Sequence, residues 1–498
     1  MSWSATLPLL ILASSLVTGL VIFFLKEQSV MLRTVLNLSG AGIKLVLVGV
    51  LMWGVYQGQI FEARLPLLPN IELVFHADAL SLLFVSLSTV LWFVTTVYAI
   101  GYLEHSPHRS RFFGFFSLCV TATVGIALAG NLITFLIFYE LLTLATYPLL
   151  MHRGTADSRR AGRIYLSYTL AGGALLLVGV VWLKSLAGPL DFTATGILAE
   201  RADLSPDTLR WIFLLLIAGF GVKAALVPLH GWLPVSMAAP APVSALLHAV
   251  AVVKAGAFGI TRVVYDVYGV EFSASLGLLM PLAIVASITI VYGSVRALYQ
   301  DKLKPRLAYS TISQVSYIIL GTAILGPVAT IGGIVHLVHQ GLMKITLFFC
   351  AGNLAETLGI HRVSEMDGVG RRLPKTMAAF TVAALGMIGV PPIAGFISKW
   401  YLGAGALEAG LSWVLVILAI SSALNAAYFL PILYRAWFRP APVAWRERLA
   451  PGRFETHWML LMPPLVTAGM ALFYGLFANI DSSPLSWARL IAEREYVQ

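Results

Sequence analysis

Runs of about twenty apolar residues recur along the whole chain, separated by short polar clusters, and each is long enough to cross a hydrocarbon layer about 30 Å thick. Fourteen such runs are centred near residues 16, 44, 90, 119, 141, 171, 220, 253, 285, 315, 340, 387, 422 and 468. The pattern predicts an all-α membrane protein of about fourteen transmembrane helices in one membrane domain, with no soluble module. The first run lacks the basic leader and small-residue cleavage site of a signal peptide, so it reads as a retained helix. One connection has a different period. Residues 57–77 alternate apolar and polar side chains around Leu68-Pro69-Asn70, which predicts a short hairpin outside the membrane. Connections 185–208 and 355–374 each have room for a short surface helix.

Composition narrows the functional classes. Hydrophobic residues make up 59% of the 498 and charged ones 11%, against roughly 45–50% and 25% in soluble domains. Cys119 and Cys350 lie in separate apolar runs with no CxxC or Cys/His ligand spacing, so no metal centre, iron–sulfur cluster or disulfide is expected. The sequence has no glycine-rich phosphate loop, so no cofactor is expected and the chain reads as a transporter subunit rather than an enzyme. The net charge of +10 invites a nucleic-acid reading, but its distribution is topological. If the odd-numbered connections face the cytoplasm, they hold 21 of the 33 Lys and Arg residues, while the other side, termini included, holds 7. That bias puts both termini on the extracytoplasmic side of a cell membrane.

The remaining charges lie inside the apolar runs. They are Glu140 and five lysines, Lys44, Lys223, Lys254, Lys344 and Lys399. An ionised side chain at the bilayer centre costs at least roughly 2.5–3.5 kcal/mol, so these groups must be solvated internally, paired or titrated. That points to an ion or proton path. Two runs are also interrupted: the seventh by Pro228 and Pro234 around Gly231, close to Lys223, and the twelfth by Pro391-Pro392, close to Lys399. Proline removes a backbone donor, and lipid tolerates the break only where it is packed or lines a wet cavity. The breaks are five spans apart, so the second unit must be inverted relative to the first. Matching interrupted helices in inverted units point to a transport site.

These residues carry a family resemblance. The segment KAALVPLHGWLP from Lys223 and the segment APAPVSALLHAVAVVKAG from Ala239 resemble the antiporter-like subunits shared by respiratory complex I, membrane-bound hydrogenases and Mrp-type cation/proton antiporters. FYELLTLATYPL from Phe138, DKLKPRLAYSTISQVSYI from Asp301, HLVHQGLMKITLFF from His336 and PPIAGFISKW from Pro391 extend the likeness over about residues 78–400. FYELLTLATYP, and a lysine at 399, are most similar to the D-type subunit of Mrp antiporters. The resemblance implies three N-terminal helices (1–109), two inverted five-helix repeats, spans 4–8 (110–267) and spans 9–13 (268–435), and a C-terminal loop and helix (436–498). It also implies other membrane subunits as partners, with H⁺ and Na⁺ or K⁺ as the ions moved.

Site residues follow from the same likeness, position by position. Glu140 and Lys223 resemble a carboxylate–lysine pair whose making and breaking would switch the lysine between proton holder and proton donor; a static salt bridge between helices is the plainer reading. Lys254 resembles a central lysine, with His248 six residues earlier, about 600° around a regular helix and so off its face. His248 could instead be an interior histidine bonded to backbone. His230 could relay between Lys223 and Lys254, or cap groups freed by the prolines. In the eleventh span the resemblance implies histidines eight and four residues before Lys344. His336 keeps that spacing, but Gln340 takes the second place and the second histidine is His339. Either a local bulge turns His339 into the path, or water on Gln340 bridges His336 to Lys344. Lys399 resembles a terminal lysine near the exit, with snorkelling beside Trp400 as its rival. Lys44 belongs to no motif and reads as snorkelling or partner-facing. The expected function is proton translocation within a multisubunit antiporter, with Na⁺ coupling in a neighbouring chain. A pumping subunit of a redox complex and a membrane scaffold remain the alternatives.

Overall fold

The computed structural model describes residues 2–104, 106–199, 201, 203–441, 445, 447 and 454–496. Arg446, Arg448 and Arg453, counted above on the cytoplasmic side, lie outside the described residues. Helices α1 (Trp3–Phe23) and α2 (Val30–Tyr56) lead into a hairpin of β1 (Glu62–Leu68) and β2 (Ile71–His76). Its strands pair antiparallel, and the turn places Asn70 at φ 64°, a left-handed conformation that Asn tolerates. The hairpin expected at Leu68-Pro69-Asn70 is present. Four unbroken helices follow: α3 (Ala79–Tyr102), α4 (Arg109–Ala127), α5 (Leu132–Leu150) and α6 (Ala156–Ala187). Polar side chains start three of them by accepting orphan backbone donors: Asp78 from Ser81, Asn131 from Thr134 and Thr155 from Ser158. Glu27 reaches across to accept from the first amides of α4, at Arg109 and Ser110, adding charge complementarity to the helix dipole.

The seventh span is interrupted as expected, into α7 (Pro206–Ala224) and a short α8 (Trp232–Val235), with a cis bond at Val227-Pro228. The eighth span is interrupted too. It consists of α9 (Ala241–Ala249) and α10 (Val252–Arg262), the latter continued by a π-helical turn, Val263–Tyr268. The short α11 (Val270–Ser275), then α12 (Leu279–Leu298), α13 (Leu303–Ala323) and α14 (Pro327–Leu358) follow. After α15 (Val369–Arg372), the twelfth span divides into α16 (Pro374–Ile388) and α17 (Ala394–Glu408), with Pro391-Pro392 cis between them. The chain closes with α18 (Trp413–Phe438), α19 (Trp458–Leu476) and α20 (Pro484–Tyr496). Connection 355–374 holds short helical turns, whereas the described part of 185–208 holds none before α7.

Eleven helices among the described residues are long and apolar enough to cross a membrane. The other three of the fourteen runs are α7, α13 and the α16–α17 pair. Burial sorts the helices into layers. The most apolar windows of 241–268 and of α14 are 100% buried, whereas those of α2 and α18 are 33% buried and face outward. Close crossings need small residues at the centre: a Cβ on Gly256 would stand 2.2 Å from the Ala224 nitrogen, so α10 and α7 meet only through glycine.

Candidate functional site

Lys223 ends α7, fully buried, immediately before the break. Its Nζ donates to the carbonyl of Tyr139 on α5 and lies 3.3 Å from the centre of the Tyr139 ring. Glu140, the next residue, is half-buried, with its Oε1 unpartnered. It packs on Gly173 of α6, where an added Cβ would stand 2.4 Å from that oxygen. Glu140 and Lys223 lie within each other's field but form no ion pair among the described residues.

Lys254 stands in α10 just after the interruption of the eighth span, and its Nζ donates to the Leu337 carbonyl of α14 at 2.8 Å. The 600° offset from His248 presumed a regular helix, which Val250 and Ala251 break, so the expectation about faces does not apply. His248 is fully buried, with both ring nitrogens unpartnered and its ring 4.6 Å from that of Phe348. No backbone hydrogen bond holds it. His230, beyond the seventh-span break, sets its ring 4.9 Å from Tyr292 of α12, with Nδ1 unpartnered.

Helix α14 is continuous, with no bulge at His339. His336, Gln340 and Lys344 therefore share one face at i, i+4 and i+8. His336 Nδ1 meets Ser398 Oγ of α17 at 2.7 Å, its ring stacks on Tyr317, and it feels both Lys254 and Lys399. Both polar atoms of the Gln340 side chain are buried without partners. Lys344 donates to Ser310 Oγ at 2.6 Å, and Ser310 accepts from Tyr428 at 2.8 Å. His339 is buried with an unpartnered Nδ1 of its own. Lys399 turns inward: its Nζ donates to the carbonyls of Met387 (3.1 Å) and Ile388 (2.7 Å) and to Ser422 Oγ (2.9 Å). It caps the end that the proline pair leaves open, while Trp400, 64% exposed, faces out alone. Snorkelling is thus not its role.

Two expectations need correction. Lys44 is fully buried, donating to Ser15 Oγ at 2.5 Å with the Trp92 ring 4.9 Å away, because α1 and α3 close over that face of α2. It neither snorkels nor faces a partner. Glu140 is also not alone among immersed acids. Asp266, 0% exposed, lies in the eighth span beside Arg262, which also reaches Asp78. Arg262 and Asp266, at i and i+4, are the sequence signal for this pair; a count that takes every charge near a span end as topological passes over it. No group of three or more metal-ligating side chains that could hold an ion occurs among the described residues.

One property unites four of the immersed lysines. Lys223, Lys254, Lys344 and Lys399 all rest on carbonyl or hydroxyl oxygens, and none is paired with a carboxylate among the described residues. Neutral acceptors solvate an ammonium without locking its charge. Interrupted helices around buried titratable groups define a carrier of ions across a membrane.

The chain belongs to the NADH:quinone oxidoreductase/Mrp antiporter transmembrane family, whose model matches residues 129–425. A second model, for the N-terminus of complex I chain 5, matches residues 69–113. The chain is 37% identical over 407 residues to NADH-quinone oxidoreductase subunit N of Desulforudis audaxviator, covering 78% of this chain and 80% of that one. It is 27% identical to the D-type subunit of a Na⁺/H⁺ antiporter of Bacillus subtilis, covering 94% and 93%. Other curated relatives are longer, and the chain spans 63% or 65% of their length. Its fold matches a chain of the Mrp complex from Dietzia sp. DQ12-45-1b with a TM-score of 0.88 at 22% identity, over 100% of this chain and 98% of that one.

Proposed function

We propose that the chain is a proton-translocating subunit of a multisubunit Na⁺ or K⁺/H⁺ antiporter. The observation that carries this reading is a set of four lysines held by neutral oxygens, three of them buried and Lys399 half-buried. A carboxylate partner would pin each as a cation, whereas burial against neutral acceptors lets it lose and regain a proton. Protons pass from Glu140 and Lys223, with His230 at the break, to Lys254 and His248. They continue along His336, Gln340-ordered water and Lys344, and then to Lys399. Spans 4–8 and 9–13 act as the inverted units, and the hairpin faces the extracytoplasmic side. Partner membrane subunits supply the cation site, because half-buried Asp78 and buried Asp266 are already occupied by arginines.

A second reading, a pumping subunit of a redox complex, is favoured by the likeness to subunit N of an NADH-quinone oxidoreductase. The relay is the same in both. Lys223→Ala and Glu140→Ala, in vesicles containing the assembled complex, decide the mechanism: cation-dependent proton movement is expected to fall about 10²-fold or more for the lysine. Full transport in both, with assembly intact, would leave only a scaffold.

A further inference from the structure

The relay above leaves unused a second polar system between α10, α13, α14 and α20. Along α10 and its π-helical continuation, Lys254, Thr261 and Tyr265 fall at offsets of 7 and 11 residues, close to one face at 100° per residue. Thr261 Oγ1 meets Thr322 Oγ1 of α13 at 3.1 Å. The Tyr265 hydroxyl meets Thr330 Oγ1 of α14 at 3.0 Å and also interacts with Thr322. Thr330 Oγ1 in turn meets the Tyr496 hydroxyl of α20 at 3.1 Å. Thr261, Thr322, Tyr265 and Thr330 are each at most 2% exposed. Every member is a hydroxyl, both donor and acceptor, and the set climbs towards the hairpin face.

At its top lies an uneven ion cluster. Arg262 contacts Asp78 and Asp266 at 2.7 and 2.8 Å, and Arg494 contacts the same two acids at 2.7 and 2.6 Å. Glu495, next to Tyr496, is the third acid for two guanidinium groups. Its side chain is 0% exposed, neither oxygen has a hydrogen-bond partner, and Arg494 Nε is 3.6 Å away. Burial first, then the neighbouring Asp266, push its carboxyl up to about 8. Asp78 goes the other way: Arg262 and Arg494 outweigh its burial and hold it well below the usual carboxylate range. Asp78 is therefore held as an anion between two arginines, while Glu495 is free to hold a proton. The cluster's wet edge is at Arg494 and Asp78, 22% and 12% exposed.

We propose that this hydroxyl ladder is a second proton outlet, leading from the Lys254 side of the relay to Glu495, which is the release group beneath α20 at the hairpin face. Water carries the proton over the roughly 10 Å of helix from Lys254 to Thr261 and from Tyr496 to the Glu495 carboxylate; between them each hydroxyl oxygen accepts a proton on a lone pair and gives up the one it held, so no member keeps a charge. The Glu495 carboxylate takes the proton as a carboxylic acid and returns it to water at the Arg494 edge. The inference rests on the proton-translocation reading.

The test uses the assembled complex in vesicles, with Tyr265→Phe, Tyr496→Phe and Glu495→Gln beside Lys223→Ala. Each tyrosine variant removes one oxygen and little volume. Because the Lys399 exit remains, proton movement is expected to fall by about half in each and to be lost when each is combined with Lys399→Ala, with partial recovery in Glu495→Asp. A protonated-carboxyl infrared band should fade as pH rises through about 8 and be missing in Glu495→Gln. Near-parental transport in both tyrosine variants would overturn the outlet even if Glu495→Gln failed to assemble. If Lys223→Ala abolished transport in that case, the relay would stand and only the outlet would fall. Unimpaired transport in Lys223→Ala would remove both.

Discussion

A buried ammonium must find oxygen, and the oxygen it finds decides what it can do. Lys44 illustrates this away from the relay. Its partner Ser15 already has a second contact, to Thr121 Oγ1 at 2.8 Å, so removing the ammonium strands no hydroxyl. An unpaired buried ammonium is costly to desolvate, so an apolar side chain of similar volume removes that cost. Lys44→Met is therefore expected to keep transport at the parental level and to leave the thermal midpoint in detergent unchanged or raised. A loss of transport would place Lys44 on the proton path. The immersion of Lys44 was legible in the sequence. Its partners were not, because Ser15 belongs to another helix and nothing local to residue 44 announces it.

At the scale of elements, breaks with prolines were legible and the break without them was not. Pro228 and Pro391-Pro392 marked the seventh and twelfth spans, whereas the interruption at Val250-Ala251 has neither proline nor glycine. Tertiary packing imposes it, at a point where His248 and Lys254 lie on either side. A comparable long-range tie joins the connections on the face opposite the hairpin. Asp301 accepts from Ser364 N at 3.0 Å and from Ser364 Oγ at 2.9 Å, while Leu303 N donates to the His361 carbonyl. Burial raises the Asp301 carboxyl, but the hydrogen bonds from Ser364 outweigh it and the net direction is down. A lowered carboxyl contributes above its unfolded value, roughly 3.9, and that contribution is lost as pH falls through the folded one. The hydrogen-exchange protection factor over residues 361–366, corrected for the intrinsic pH dependence of exchange, should thus be flat from neutral pH to about 5 and fall only below about 4. Asp301→Ala should show the reduced protection factor already at neutral pH.

For the whole molecule, the sequence carried the number of spans and the charge bias, both properties that depend on no contact. It could not carry the Arg262–Arg494 cluster, whose members Asp78 and Arg494 stand at opposite ends of the chain and meet only through topology. Orientation is open to a direct measurement. The two cysteines, Cys119 and Cys350, are buried, so a single new thiol would report its own side. Asn70→Cys in the hairpin turn should react with a membrane-impermeant maleimide added outside intact cells. Arg159→Cys, at the exposed start of α6, should react only after permeabilisation. The reverse pattern would invert the proposed orientation.

Helix α14 runs unbroken for 32 residues and carries His336, Gln340 and Lys344 through the middle of the protein. Its apolar window meets neither lipid nor water, unlike that of α2, of which only 33% is buried. In a library of single substitutions, α2 should therefore show tolerance rising and falling with the helical period as its lipid side comes round. Along α14 that rhythm should vanish into uniform intolerance, so the most constrained stretch of the chain would be recognisable as a flat line in a fitness map.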